Sequence, residues 1–399
     1  MPVRAARDLQ GAAEVLRAAL RLGLTSFGGP IAHLGYLERI YVRERAWLSA
    51  DEYATLVALC QILPGPTSSQ IGFLIGLHRA GWRGALAAWL GFTLPSALLL
   101  YPCARLATRV QGPWVSALTH GLKLVAVAVV AQAVGSMARR LCTDAVTWLI
   151  AGAATGLLLV ANAGANASVQ LAVLAGAAAV GSLWCRPAAM PAQGTAREPW
   201  IALPSLATFA VLLLGLSMLS WRYPHGVLAL AQVFYRAGAL VFGGGHVVLP
   251  LLRAALVPGW LSDDEFLGGY GLAQAVPGPL FTVAAYLGAR AAPATPSAAA
   301  VTALIAIFLP GLLLALAGSS VWSALARHAR LRAAMTGVNA AVVGVLAAAL
   351  YDPVWVSGVH DGADVAVAGG GLLLLASGRV PPLAVVALCT GASLLRMPL

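Results

Sequence analysis

Two stretches decide the fold: Gln61-Ile-Leu-Pro-Gly-Pro66 and Gln274-Ala-Val-Pro-Gly-Pro279. Proline lacks the amide that a helix interior needs, so Pro-Gly-Pro inside an apolar run ends one helix and opens another. The motif recurs 213 residues on, and the sequence around each copy recurs with it. Around the first lie Arg21-Leu-Gly, Phe27-Gly-Gly-Pro30, Trp47-Leu-Ser-Ala-Asp-Glu-Tyr53 and Leu94-Pro95. Around the second lie Arg236-Ala-Gly, Phe242-Gly-Gly-Gly245, Trp260-Leu-Ser-Asp-Asp-Glu-Phe266 and Leu309-Pro310. The offset stays between 213 and 215, so these ordered blocks point to an old gene duplication.

Composition names the solvent. Of 399 residues, 60% are hydrophobic and 10% charged, against about 25% charged in a soluble domain. Apolar runs at Gly84 to Ala104, Trp114 to Ala138, Val146 to Asn162 and Ala300 to Val321 are at or near the roughly 20 residues that span a bilayer. The expected fold is therefore all-α, a polytopic helical membrane protein. Its net charge of +11 fits the positive-inside bias of membrane helices and calls for no nucleic acid. Cys60, Cys103, Cys142, Cys185 and Cys389 form no CxxC pair, and no His-Cys cluster has metal-ligand spacing. No cleavable signal peptide, GxxxxGK[ST] loop or nucleophile-base constellation is found, so no cofactor, metal or enzymatic activity is expected.

The repeats divide the chain into a first repeat, 1–184, a linker with one extra span, 185–226, and a second repeat, 227–399. The extra span, Trp200 to Trp221, inverts the second repeat relative to the first. If the interrupted helices between Asp8 and Arg83 return to the side where they began, 17 arginines face the cytoplasm and 7 the outside. That predicts inverted-topology repeats in an inner (plasma) membrane, N-terminus in and C-terminus out.

Backbone freed by a break inside a membrane survives where it meets protein or water, and paired breaks in two halves point to a transporter's binding site. The pairs are Gly28-Gly29-Pro30 with Gly243-Gly244-Gly245, and Pro64-Gly65-Pro66 with Pro277-Gly278-Pro279. The amides of Thr67, Ser68 and Ser69, with those of Leu280 to Thr282 opposite, would form positive helix N-termini suited to an anion. Lys123 lies inside an apolar run without an intramembrane carboxylate in the sequence pattern, which also suggests an anionic substrate. Gln61 and Gln274 precede the turns and serve either substrate or freed backbone groups. His33 and His246 follow the Gly-rich breaks and read first as hydrogen-bonded packing residues. Trp47 and Trp260, each followed by Leu-Ser and acidic residues, read as interfacial anchors and helix caps.

Phe27-Gly-Gly-Pro-Ile-Ala-His33, Trp47 to Tyr53, the two Pro-Gly-Pro blocks and Gly245-His246 resemble the paired signatures of the chromate ion transporter (CHR) superfamily, in its long two-domain form. The resemblance implies a secondary transporter that exports chromate and confers chromate resistance, with sulfate as a related oxyanion. A sulfate or other oxyanion importer or exchanger is the alternative, and a membrane enzyme such as a chromate reductase is the weakest reading. The implied partners are the oxyanion and the lipid bilayer; a homodimer is left open. The repeats depart from symmetry at Pro30/Gly245, Thr67/Leu280 and Lys123/Asn339.

Overall fold

Runs of alanine, leucine and valine leave a backbone in apolar surroundings one local way to pair its own amides, and the chain takes it. The computed structural model describes residues 2–27, 29–107, 109, 112–161, 167–187, 201–242 and 245–396, and among them there is no strand. Helices α1 (Pro2–Thr25), α2 (Gly29–Glu38), α3 (Ala50–Ile62), α4 (Thr67–Leu106), α5 (Pro113–Leu141), α6 (Ala145–Val160) and α7 (Ala167–Trp184) make the first repeat. Helix α8 (Ala202–Arg222) falls between the two sequence repeats. The second repeat holds α9 (Val227–Leu240), α10 (Val248–Leu256), α11 (Asp263–Ala275), α12 (Val283–Ala291), α13 (Pro296–Arg327), α14 (Ala329–Ala349), α15 (Val356–Gly358), α16 (Gly362–Ala376) and α17 (Pro382–Leu395).

Five described helical stretches are long and apolar enough to cross a membrane: Thr67–Leu106, Pro113–Leu141, Ala202–Arg222, Pro296–Ser320 and Ala329–Gly358. The chain is a multi-pass membrane protein. The run from Val146 to Asn162 is shorter than its apolar stretch suggests, because α6 stops at Val160.

Helix α4 is a hairpin rather than a rod. Ala80 (φ −145°, ψ 31°) and Gly81 (φ 59°, ψ −152°) leave helical geometry, and a Cβ on Gly76 would lie 2.3 Å from Gly84 O across the bend. Only a side chain of one hydrogen lets the two arms approach so closely. At this corner Arg79 Nη2 reaches Glu14 Oε2 (3.0 Å), so the bend lies level with the middle of α1. At the far end Tyr101 OH meets Ser297 Oγ at 2.6 Å, while nearer the middle the Trp89 and Phe308 rings are 5.9 Å apart. The second arm of α4 and helix α13 therefore run in opposite directions.

The late helices of each repeat pack on the other repeat. A Cβ on Gly121 of α5 would sit 2.5 Å from Thr390 Cα of α17, and one on Gly337 of α14 would sit 2.3 Å from Ala177 O of α7. The sequence repeats are thus not separate packing units.

Candidate functional site

Capping boxes aim the two short helices that end at the Pro-Gly-Pro turns. Ser49 Oγ accepts from Glu52 N–H while Glu52 accepts from Ser49 N–H, and Ser262 with Glu265 repeats the arrangement at α11. These are the caps expected beside Trp47 and Trp260. Each helix then runs into a glycine that holds a positive φ: +122° at Gly65 and +104° at Gly278.

The freed amides cross between repeats. Gly65 N–H donates to Val241 O (2.7 Å) and Gly278 N–H donates to Ser26 O (2.9 Å). Each Pro-Gly-Pro turn is therefore bonded to the residue that ends the helical run before the Gly-rich break of the other repeat. A matching residue forms each wall. A Cβ on Gly65 would meet Gly311 Cα at 2.7 Å, and one on Gly278 would meet Ser96 Oγ at 2.9 Å; Gly311 and Ser96 follow Pro310 and Pro95.

The start of α4 carries amides outside its helical ladder. Pro66 is its N-cap with no side-chain cap, and the first helical bond runs from Gln70 N–H to Pro66 O (3.0 Å), so the amides of Thr67, Ser68 and Ser69 precede the ladder. Ser69 Oγ, Ser26 Oγ and Thr93 Oγ1 are buried with no hydrogen-bond partner among the described residues. His33 gathers this side: its Nδ1 lies 3.4 Å from Ser68 Oγ, its Nε2 3.2 Å from Ser26 O, and its ring meets Phe92 edge-on at 5.4 Å. Thr67 turns its hydroxyl to Cys60 O (3.4 Å) and caps α3 instead of facing the break.

The second repeat departs from the expected symmetry. Leu280–Thr282 is a 3₁₀ turn, in which Thr282 donates its amide (3.0 Å) and its hydroxyl (2.8 Å) to Pro279 O. The expectation of free amides from Leu280 to Thr282 is corrected for Thr282, because a 3₁₀ turn closes one residue earlier than an α-turn. His246 sits in the short turn Gly245–Val247 that opens α10, with Nδ1 2.8 Å from Tyr270 OH. A Cβ on Gly29 (φ +75°) would come within 3.4 Å of His246 Nε2. Gln274 Nε2 is buried, and Gln61 is half-buried at the end of α3. Pro277 and Pro279 flank Gly278 in the same turn. Gly28, Gly243 and Gly244 lie outside the described residues.

Lys123 is not the unpaired cation expected from the sequence. Its Nζ makes an ion pair with Asp264 Oδ1 (2.5 Å) and donates to Ser357 O (3.3 Å), joining α5 to the first turn of α11 and to α15. Burial of an ammonium requires a partner, and a carboxylate 141 positions away in sequence supplies it.

Sequence reasoning missed Ser26, Gln70, Thr93, Ser96 and Tyr270. Gln70 donates from Nε2 to both Pro64 O (2.9 Å) and Gly311 O (2.9 Å), stitching the first turn to α13. A signal existed for Ser96, which holds the place after Leu-Pro that Gly311 holds in the second repeat. A separate cavity of about 480 Å³ between α4, α8 and α13 is lined by Trp82, Trp89, Phe308 and Leu312, an apolar surface that suits acyl chains rather than an anion.

A family model described as "Chromate transporter" matches residues 13–182 and again 228–394. A chromate transport protein of Pseudomonas aeruginosa is 30% identical over 356 residues, covering 84% of this chain and 79% of its own. A probable chromate transport protein of Synechococcus elongatus is 29% identical, covering 83% and 81%, and a chromate transport protein of Cupriavidus metallidurans is 27% identical, covering 83% and 80%. No solved structure matches the chain. Both repeats carry the family's match at the breaks described above, and the chain belongs to the chromate transporter family.

Proposed function

We propose that this protein is a secondary transporter that exports chromate across the inner membrane and thereby confers chromate resistance, with the oxyanion bound where the four breaks meet. The observation that carries the reading is the reciprocal pair of bonds from Gly65 to Val241 and from Gly278 to Ser26, beside the amides of Thr67, Ser68 and Ser69 outside the α4 ladder. A helix N-terminus with partial positive charge and hydroxyl donors suits a tetrahedral dianion. Ser26, Ser69 and Thr93 complete the donor set, with Gly29, Gly245, His246 and Gln274 on the opposite side. The Gly28, Gly243 and Gly244 backbones belong to the same proposal through their sequence position. Lys123 is left out of the first contact set, since its charge is spent on Asp264.

Inverted repeats, with the N-terminus cytoplasmic and the C-terminus external, give such a site access from each side in turn by rocking of one repeat against the other. The opposed directions of α4 and α13 and the arginine bias favour this arrangement. A cytoplasm held negative already favours outward movement of a dianion, by roughly 2.3 kcal/mol per charge per 100 mV. Export needs no further coupling ion on energetic grounds.

The relatives named for chromate transport support chromate as substrate, and sulfate shares its charge and tetrahedral shape. The test is radiolabelled chromate uptake into everted vesicles under an imposed potential, with sulfate as competitor. Accumulation that follows the potential and falls with sulfate fits the proposal; uptake equal to that of empty vesicles, with the protein inserted, overturns it.

A further inference from the structure

Ligand-bearing residues far apart in sequence meet at the end of the molecule where the chain finishes. His120 lies two turns into α5 of the first repeat, while His360 and Asp364 flank the start of α16 in the second. His120 Nε2 is 3.0 Å from Asp364 Oδ1, and His360 Nδ1 is 3.8 Å from Asp364 Oδ2. One ligand atom from each residue lies within 4.8 Å of the others. Tetrahedral zinc, with bonds of about 2.0–2.1 Å, holds neighbouring ligand atoms roughly 3.3 Å apart. The two His–Asp separations, to different carboxylate oxygens, bracket that spacing, and the two imidazole nitrogens, within 4.8 Å of each other, close to it by side-chain rotation.

The surroundings suit a bound cation. The Asp364 carboxylate is 1% exposed and is oriented by His360 N–H, which donates to Oδ2 (3.0 Å), the kind of supporting bond that fixes a metal ligand. The His360 side chain is 60% exposed and leaves an entry path. Lys123, one turn from His120, is neutralised by Asp264 and sets up no bare positive charge. Arg396 is the competitor, since its Nη1 donates to Asp364 Oδ1 at 2.7 Å while its other arm pairs with Asp361.

We infer that His120, His360 and Asp364 bind one divalent transition-metal ion, with zinc the best match, and that the ion ties α5 of the first repeat to α16 of the second. Two imidazoles and a carboxylate favour zinc over magnesium or calcium, which take oxygen ligands. Water fills the fourth position. The ion draws Asp364 away from Arg396, which keeps Asp361. The inference does not depend on the substrate, because no residue of the breaks takes part.

The experiment is calorimetric titration of the purified full chain with zinc chloride, backed by the visible spectrum of the cobalt(II) form. One ion per chain, with the absorption of tetrahedral cobalt, is expected. His360→Ala, at an exposed position that leaves the fold intact, weakens binding by at least about tenfold, the lower end of what even an outer-shell partner contributes. Arg396→Gln frees Oδ1 and tightens it. Absence of saturable binding by the wild-type chain, equal affinity in His360→Ala and His120→Gln, or weaker binding in Arg396→Gln overturns the inference.

Discussion

A methyl group added at Gly65 meets backbone at 2.7 Å and the Gln70 amide at 2.8 Å, whereas one added at Gly278 meets a hydroxyl first and backbone, Phe92 O, only at 3.2 Å. The first would lie 2.7 Å from Gly311 Cα and the second 2.9 Å from Ser96 Oγ, a group that can rotate away. Both positions also hold a positive φ that L-residues adopt only under strain of about 1–3 kcal/mol. Gly65→Ala is therefore expected to lower the thermal midpoint in detergent more than Gly278→Ala, and to lose chromate transport with it; equal midpoints would show that the wall contacts are looser than the geometry requires. Ser69→Ala separates function from folding at the same junction. Its buried Oγ has no partner among the described residues, so removing it relieves an unmet desolvation cost of about 1–3 kcal/mol and leaves stability equal or higher. Transport by this variant falls severalfold if the hydroxyl binds the oxyanion, and unchanged transport would remove Ser69 from the site. Lys123→Met gives the opposite pattern: Asp264, 68% exposed, is left to water, and chromate transport in vesicles stays near wild type.

Helix ends were the most legible feature of the sequence, because caps and breaks are local. Ser49 with Glu52, Ser262 with Glu265 and both Pro-Gly-Pro turns can be read from a few neighbouring residues, and the structure places them as read. Contacts that reach across the fold could not be read so. The Lys123–Asp264 pair joins positions whose contact only tertiary packing decides, and the His120, His360 and Asp364 group escaped a search for local metal-ligand spacing for the same reason. The turn Leu280–Thr282 ahead of α12 escapes a sequence reading, because a Pro-Gly-Pro start does not tell a 3₁₀ turn from an α-turn. The cap of α6 supplies a test of the local kind. Asp144 accepts from Thr147 N–H and hydroxyl, and these bonds hold its carboxyl below the usual carboxylate range. Asp144→Ala should cost about 1 kcal/mol, read as a lower unfolding midpoint at neutral pH. Because the folded-state pKa is the depressed one, this contribution is present above the ordinary carboxylate pKa and is lost as pH falls through the folded value. The gap between variant and wild type therefore narrows in acid.

At the scale of the whole molecule, the crossing of late helices decides what can fold alone. Helix α7 of the first repeat lies against α14 of the second, with Gly181 and Gly337 facing each other so closely that a Cβ on Gly181 would sit 2.8 Å from Gly337 Cα. Helix α17 in turn lies against α5 through Gly121 and Thr390. Separate expression of residues 1–226 leaves α6 and α7 without α14, and strips from the first Pro-Gly-Pro turn the carbonyl that the other repeat supplies. Unpaired backbone amides at membrane depth cost several kcal/mol each, so the first half alone should be degraded or aggregate. Co-expression with residues 227–399 restores both sets of contacts, and the two pieces should co-purify as a single species with a cooperative unfolding transition. Limited proteolysis checks this directly: a first half that is protease-resistant and monodisperse without its partner would mean that the exchanged helices contribute little. Protection that appears only on co-expression would place the stability of the fold in the contacts between repeats, among them the bonds from Gly65 to Val241 and from Gly278 to Ser26.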